Sequence, residues 1–403
     1  MTYKATVDWM FGQLPMYQQK GKAAFKAKLD NIWLLATHLD HPENKFKSIH
    51  VGGTNGKGSS SHMLASILQE AGYKVGLYTS PHLKDFRERI RINGSPVAKK
   101  FVIDFIKNNK SFFESHQLSF FEMSVGMAFD YFAKSGVDIA VVEVGLGGRL
   151  DSTNIIMPEV SLITNIGYDH IDMLGDTLEK IAFEKAGIIK PKVPIVISET
   201  QRETQKVFAT MAAACGSKLV FADTAVKENY DTALLGNYQT KNIKGVIAVL
   251  RELKGFHVNE DHIIKGLQKV VENTGLMGRW QVLGEHPKIV CDTAHNTEGI
   301  QLVLHQIKTQ KFDVLHLVLG FVKEKNLQAI FPLLPKKAHF YFCRPNIPRG
   351  LDVHILQRQA AEAGITGDAY PTVKEALAAA IKKASKSDFI FVGGSNFVVA
   401  EVV

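Results

Sequence analysis

Gly52-Gly53-Thr54-Asn55-Gly56-Lys57-Gly58-Ser59 is the stretch whose reading decides the fold. Before it runs Phe46-Lys47-Ser48-Ile49-His50-Val51, a buried-strand pattern. After it Met63, Leu64, Ile67, Leu68 and Ala71 mark one apolar helix face, stopped by Gly72. In a strand–loop–helix unit of this kind the glycines let backbone N–H groups converge on an anion at the positive helix N-terminus, and Lys57 adds a mobile charge. A nucleotide polyphosphate is the expected ligand. The loop departs from the general pattern: three residues, not four, separate Gly52 from Gly56-Lys57, and Gly58 follows the lysine. Ser59 is shifted by one position, so the usual role of that hydroxyl, ligating magnesium, falls to another residue.

Size and composition bound the rest. A chain of 403 residues exceeds the size at which one core stops growing, and 45% apolar residues suffice for two. The net charge of +8 is dispersed among 48 basic and 40 acidic residues, which suits anionic substrates and argues against a nucleic-acid-binding arm. Cys215, Cys291 and Cys343 form no CxxC pair, so neither a disulfide framework nor a zinc site is indicated. No apolar run reaches the length of a membrane span and the N-terminus lacks a leader pattern. A soluble, cytoplasmic protein without membrane or nucleic-acid partners is expected.

Apolar β-rich runs alternate with helical patterns along the chain, predicting an α/β fold with helices covering largely parallel sheets. After the loop, strands are predicted at Lys74 to Tyr78, Ile139 to Val144, Val160 to Thr164 and Val193 to Ser198. A second group comprises Lys288 to Cys291, Val314 to Leu319, His339 to Cys343 and Phe389 to Val392, with helices over Glu298 to Ile307 and Val373 to Ala384. Between the groups Asn273-Thr274-Gly275-Leu276-Met277-Gly278-Arg279-Trp280 reads as a hinge. The expected domains are therefore 1–280 and 281–403.

In open parallel sheets ligands gather beyond the carboxyl ends of the strands, and several polar residues fall there. Glu143 ends one strand, either as a magnesium-binding carboxylate or as a solvated strand end. The glycines of Gly145-Leu146-Gly147-Gly148 favour the former, because they permit close approach to a ligand. His170 follows another strand, where a metal or phosphate contact competes with an ordinary surface role. Ser80, in Thr79-Ser80-Pro81-His82-Leu83, is either the missing hydroxyl or part of a Ser-Pro turn. Lys185, in Ile181-Ala182-Phe183-Glu184-Lys185-Ala186, reads from spacing as part of a solvated Lys–Glu face. Asp292, in Asp292-Thr293-Ala294-His295-Asn296, either accepts a bond from a nucleotide ribose or orders an arginine, or the segment is an ordinary helix start capped by Asn296 or Thr297.

The ordered set GTNGKGS, TSPHL with Phe86-Arg87-Glu88-Arg89-Ile90, EVGLGGRLDSTN, Asp169-His170, EKAGIIKP, GRWQ and DTAHN resembles the bacterial folylpolyglutamate synthase/dihydrofolate synthase family, a branch of the Mur-ligase-like ATP-dependent ligases, almost end to end. The resemblance implies a P-loop ATPase domain of the Mur ligase central type, followed by a smaller Rossmann-like domain. It implies that Thr54, Asn55, Gly56, Lys57, Gly58 and Ser59 cradle ATP, with Asn242 near the adenine and Arg279 and Asp292 completing the nucleotide site. Ser80, Glu143 and His170 match the family's Mg²⁺ ligands, and Lys185 matches a lysine that the family carbamylates with CO₂. Ser119, Phe120, Phe121, Glu122, Leu150, Asp151 and Ser152 match segments that contact dihydropteroate. Pro15-Met16-Tyr17-Gln18 is a weaker match.

The implied activity is addition of L-glutamate to tetrahydrofolate, and to dihydropteroate, through an acyl phosphate, by a monomer in which Lys57, Glu143, His170 and Lys185 serve catalysis. The alternative is a Mur-type amino-acid ligase for another carboxylate. About 50 residues precede the loop, short of the extra N-terminal substrate domain expected of that alternative. A nucleotide-dependent switch is disfavoured, since no guanine-reading NKxD follows the loop.

Overall fold

Lys47–Gly52 forms the strand expected before the glycine loop, and every residue after Lys47 is buried. In this computed structural model residues 1–13 and 29–403 are described; Pro15-Met16-Tyr17-Gln18 lies outside them. The described residues divide into two compact units, one of Met1–Ala233 with Thr240–Gly275, the other of Leu234–Gln239 with Leu276–Val403. The segment predicted as a hinge begins inside a short helix, Val270–Thr274, which Gly275 ends with φ of 64°. The division follows that glycine.

The first unit holds a sheet of β1 (Lys47–Gly52), β2 (Val75–Tyr78), β3 (Ile90–Ile92), β4 (Ser95–Pro96), β5 (Ile139–Glu143), β6 (Val160–Ile163), β7 (Ile195–Ile197) and β8 (Leu219–Phe221), in the order β4-β3-β2-β5-β1-β6-β7-β8. β3 and β4 are antiparallel to their neighbours; the others run parallel. Strands buried on both faces read as near-continuous apolar runs, which is why β5 and β6 were legible. The three-residue β3 and β8 lack that signature. Ala140 and Val142 enter one apolar cluster with Phe105 and Phe129 of the helices Lys99–Ser115 and Phe120–Ser135. Ile163, Ile195 and Ile197 enter another with Ile181 and Phe208 of the helices Leu178–Ala186 and Arg202–Ala214.

The second unit holds β9 (Gln281–Glu285), β10 (Lys288–Cys291), β11 (Leu315–Leu319), β12 (His339–Cys343), β13 (Gly367–Tyr370) and β14 (Phe389–Gly393), in the order β13-β12-β11-β14-β10-β9. Only β9 pairs antiparallel. β9 and β13 sit at the sheet edges, half-exposed and poor in apolar runs, and escape the sequence pattern. No helix among the described residues is long and apolar enough to cross a membrane.

The helix after the glycine loop, Lys57–Glu70, is buried on every side from Gly58 to Leu68, not on one face alone. Its outer side is covered by the helix Glu260–Gln268, where Ser66 Oγ donates to the Gly266 carbonyl at 2.6 Å. A Cβ on Gly266 would lie 2.5 Å from Ile67 Cα, so the two helices meet backbone to backbone. Gly266→Val is expected to force them apart and to destabilise the first unit by about 3 kcal/mol, the upper end of ordinary overpacking. An unchanged urea midpoint would refute this reading of the packing.

Candidate functional site

The sheet register aligns the strand ends that carry the predicted site. Val51 of β1 lies opposite Glu143 of β5, Gly52 opposite Ile163 of β6, and Tyr78 of β2 opposite Val142. The loop from Gly53 to Gly56 therefore emerges beside Glu143 on one side and Thr164 on the other. Gly53 adopts φ of 137°, and Thr164 Oγ1 lies 1.9 Å from where its Cβ would be. At Gly56, with φ of 86°, the Asn242 amide oxygen is 2.2 Å from that position. Both sites exclude any side chain. The residues between them are held by the segment after β6: Thr54 N donates to Asn165 O at 2.9 Å, Asn55 N to Asn165 Oδ1 at 2.8 Å, and Gly167 N to Thr54 Oγ1 at 3.0 Å. Sequence spacing flagged the loop but not this clamp, whose Thr164 and Asn165 carry no motif of their own. Gly58 and Ser59 are buried in the helix's first turn.

Two ammonium groups converge on the loop. Lys57 Nζ donates to the carbonyls of Gly53 and Thr54 at 3.0 and 3.1 Å, and Lys185 Nζ donates to the same Gly53 carbonyl at 2.9 Å. The solvated Lys–Glu face expected from spacing is overturned: Glu184 turns outward to pair with Arg149 at 2.9 Å, while Lys185 turns inward and is 4% exposed. Burial, then the charge of Lys57, lowers the Lys185 pKa from 10.5 to about 7, against the pull of Asp169 and Asp151.

Ser80 and Glu143 are brought together, the Ser80 N–H donating to Glu143 Oε2 at 3.2 Å, with the Glu143 side chain buried. His170 has φ of 51° at the start of the short helix Ile171–Leu174, its ring half-exposed and 3.9 Å from Asp169. Arg89, which lies in a quoted motif but was not singled out, is buried beside this group; its Nε donates to His82 Nδ1 at 2.8 Å and its guanidinium lies 5.1 Å from the Phe120 ring centroid.

The residues matching a pteroate site divide between two kinds of surroundings. Phe121 and Asp151 meet around Gly145, where an added Cβ would lie 2.3 Å from Phe121 Cζ and 3.1 Å from Asp151 Oδ2. Asp151 is buried, which raises its pKa against the hydrogen bonds it accepts. Ser119 and Glu122 close a capping box on the helix Phe120–Ser135, at 3.2 and 2.7 Å. Phe120 is buried and stacked on Phe11 at 4.5 Å between ring centroids. Leu150 and Ser152 are half-buried on either side of Asp151.

In the second unit Asn296, one of the two expected caps, caps the helix Thr297–Lys308, accepting from Gly299 N at 2.8 Å. Asp292 Oδ2 accepts from Tyr238 O–H at 2.6 Å and Trp280 N at 2.7 Å, and Oδ1 accepts from Ala294 N at 2.8 Å. Arg279 lies close enough for its charge to counter the rise that burial and Asp292 impose on the Tyr238 pKa. Tyr238 carried no signal, because its partner lies 54 residues away.

Known proteins share this fold. The Mur ligase middle domain model matches residues 51–242, and the Mur ligase glutamate ligase domain model matches residues 278–396. The dihydrofolate synthase/folylpolyglutamate synthase of Bacillus subtilis is 34% identical, the match covering 86% of each chain. The chain belongs to the folylpolyglutamate synthase/dihydrofolate synthase family of ATP-dependent ligases. A probable bifunctional folylpolyglutamate synthase/dihydropteroate synthase of Haloferax volcanii is 32% identical over all of this chain, which spans 50% of that longer protein. Among solved structures, Escherichia coli FolC with DHPP and ADP superposes with a TM-score of 0.84 at 29% identity, over 98% of this chain and 96% of that one. A bifunctional folylpolyglutamate synthase/dihydrofolate synthase with Mn, AMPPNP and L-glutamate bound gives 0.85 at 27% identity, over 100% and 97%. These matches favour the folate ligase over an amino-acid ligase for another carboxylate.

The buried Lys185 yields a pH signature. Its pKa is about 7 in the fold against an ordinary 10.5, so between these values the unfolded chain binds the extra proton. The cost of burying it is complete below pH 7 and shrinks as pH rises toward 10.5. Wild type is expected to gain stability relative to Lys185→Met between pH 7 and 9 in denaturant titrations. A constant difference across that range would show that Lys185 titrates normally.

Proposed function

We propose that this chain, as a member of the folylpolyglutamate/dihydrofolate synthase family, joins L-glutamate to tetrahydrofolate and to dihydropteroate through an acyl phosphate. The observation that carries the reading is the glycine loop with two lysines on the Gly53 carbonyl, beside the aligned Glu143. A carboxylate oxygen of the pterin substrate attacks the γ-phosphorus of ATP, and the bond to the departing ADP oxygen breaks. The amine of glutamate then attacks the acyl carbon, loses a proton, and displaces phosphate to leave the amide.

The chain's own groups supply positioning and charge. Gly56, Lys57 and Gly58 offer N–H groups at the N-terminus of a buried helix, and Thr54, Asn55 and Ser59 complete the cradle. Lys57 Nζ exchanges its loop carbonyls for phosphate oxygens. Asn242 lines the loop at Gly56, and we assign Arg279 and Asp292 of the second unit to the nucleotide as well. Phe121 and Asp151, with Leu150 and Ser152, are assigned to the pterin end. The capping box of Ser119 and Glu122 sets the direction of the helix that carries Phe120 and Phe121.

Mg²⁺ fits this donor set. Among the described residues no three His, Cys, Asp or Glu side chains cluster as a metal cage, and Ser80 with Glu143 offers hard oxygen donors suited to an ion that also takes phosphate oxygens. We assign Ser80, Glu143 and His170 to it; when bound, it neutralises charge on the phosphates. A lysine with a pKa of about 7 is in good part an unprotonated amine near neutral pH, the form that adds to CO₂ with loss of a proton. This supports a carbamate on Lys185. Three unpaired cysteines support a cytoplasmic setting, and we propose a monomer.

Purified enzyme with ATP, Mg²⁺ and glutamate is expected to form product with dihydropteroate in one vessel and with tetrahydrofolate in another. Product from tetrahydrofolate alone would remove the dihydropteroate half of the proposal. Lys57→Ala is expected to lower turnover by at least about 10²–10³-fold, the scale for loss of a transition-state charge donor. Its thermal unfolding should match wild type. Near-normal turnover in that variant would overturn the assignment.

A further inference from the structure

A buried polar chain runs from the middle of β1 to Asp151 and is not accounted for by nucleotide binding. His50 Nε2 lies 2.9 Å from Thr153 Oγ1, both side chains being fully buried. Thr153 Oγ1 bonds in turn to Asp151 Oδ1, which also accepts from Thr153 N at 3.0 Å. The direction of each hydrogen bond is fixed by chemistry. Asp151 Oδ1 already accepts the Thr153 N–H, so it is an acceptor here and the threonine proton points to it. The threonine oxygen is then left to accept, and His50 supplies an Nε2–H. Burial pushes the His50 pKa down to about 3, so the ring is neutral and Nδ1 is a bare acceptor. That atom has no hydrogen-bond partner among the described residues. An orphaned ring lone pair is the more tolerable arrangement; the opposite tautomer would bury an unpaired N–H and break the bond to Thr153.

We infer that His50 and Thr153 are positioning residues for the pterin-bearing substrate, acting by fixing which oxygen of Asp151 faces it. The inference rests on the assignment of Asp151 to the pterin end of the site. Oδ1 is taken by Thr153 from two directions, which locks rotation of the carboxylate. Oδ2 takes the Leu146 N–H at 2.8 Å and, with Phe121 Cζ, closes on Gly145 so tightly that a Cβ there has no room. With Asp151 assigned to the pterin end, a flat heterocycle carrying N–H donors is offered an aromatic side chain and one oriented acceptor held side by side. Without the Thr153 hydroxyl the carboxylate swings, and the acceptor is no longer preset. The glycine loop follows on the same strand from Gly53, but its bonds run to Thr164, Asn165 and Gly167 and not to His50 or Thr153, so nucleotide binding is not expected to follow.

Thr153→Val removes the hydroxyl at nearly constant volume, and Thr153→Ser retains it. Steady-state KM for dihydropteroate, ATP and glutamate is the readout, with nucleotide affinity and thermal unfolding as checks on folding. Thr153→Val is expected to raise the dihydropteroate KM about tenfold, equivalent to one modest charge-assisted hydrogen bond. The KM for ATP and for glutamate should stay within about twofold, and Thr153→Ser should restore the wild-type value. His50→Phe, which fills the same slot without a donor, provides a second route and should shift the same KM in the same direction. Equal changes in all three KM values, or failure of serine to rescue, would reduce the chain to a structural role and overturn the inference. Asp151→Asn separates the premises. If it leaves the dihydropteroate KM unchanged, the assignment of Asp151 itself fails; if it raises that KM while Thr153→Val and His50→Phe do not, only the positioning chain fails.

Discussion

The carbonyl of Gly53 is the point on which the site depends. Two ammonium groups, from Lys57 and Lys185, share it, and like charges held so close in a buried place must lower the pKa of at least one. Lys185 yields, chiefly through its own burial, with the charge of Lys57 adding to the fall. The two meet because the loop turns where β1 ends at Gly52 and the next residue adopts a conformation that only glycine accepts comfortably. Moving the turn by one residue would separate the two lysines and misalign the strand end beside Glu143.

Rigidity around that carbonyl comes from three directions. Thr164, Asn165 and Gly167 hold the loop from the end of β6. Asn242 closes against Gly56. The helix behind the loop is enclosed, with Glu260–Gln268 on its outer side. A phosphate cradle made of N–H groups gains from such immobility, because donors already in place need not be ordered when the ligand arrives. The same arrangement recurs in the segment that follows β5, where Asp151 is tethered by Thr153 and Leu146.

Much of the fold was legible because central parallel strands carry apolar runs and their helices carry apolar faces. β10 and β12 fall at their predicted residues, and the strands around the loop differ by one or two. The edge strands β4, β8, β9 and β13 were not legible: they form because a neighbour offers unpaired backbone, which leaves little mark on composition. Motif and resemblance marked the loop, Ser80, Glu143, Lys185 and Asp292. Spacing alone misread Lys185, since a Lys–Glu pair on a helix says nothing about which of the two faces solvent. Tyr238, Thr164 and Arg89 escaped notice because each acquires its meaning from a partner distant in the chain.

By itself, then, the sequence determined a two-part α/β protein with a phosphate-binding turn and the family to which it belongs, because glycine spacing and hydrophobic periodicity are local properties. Tertiary structure alone decided that Lys185 turns inward to the carbonyl Lys57 already holds, that Asp151 is locked through Thr153 to a histidine in the central strand, and that Asp292 binds Tyr238. Each of these depends on burial and on distances between residues far apart in the chain, and a linear pattern carries neither.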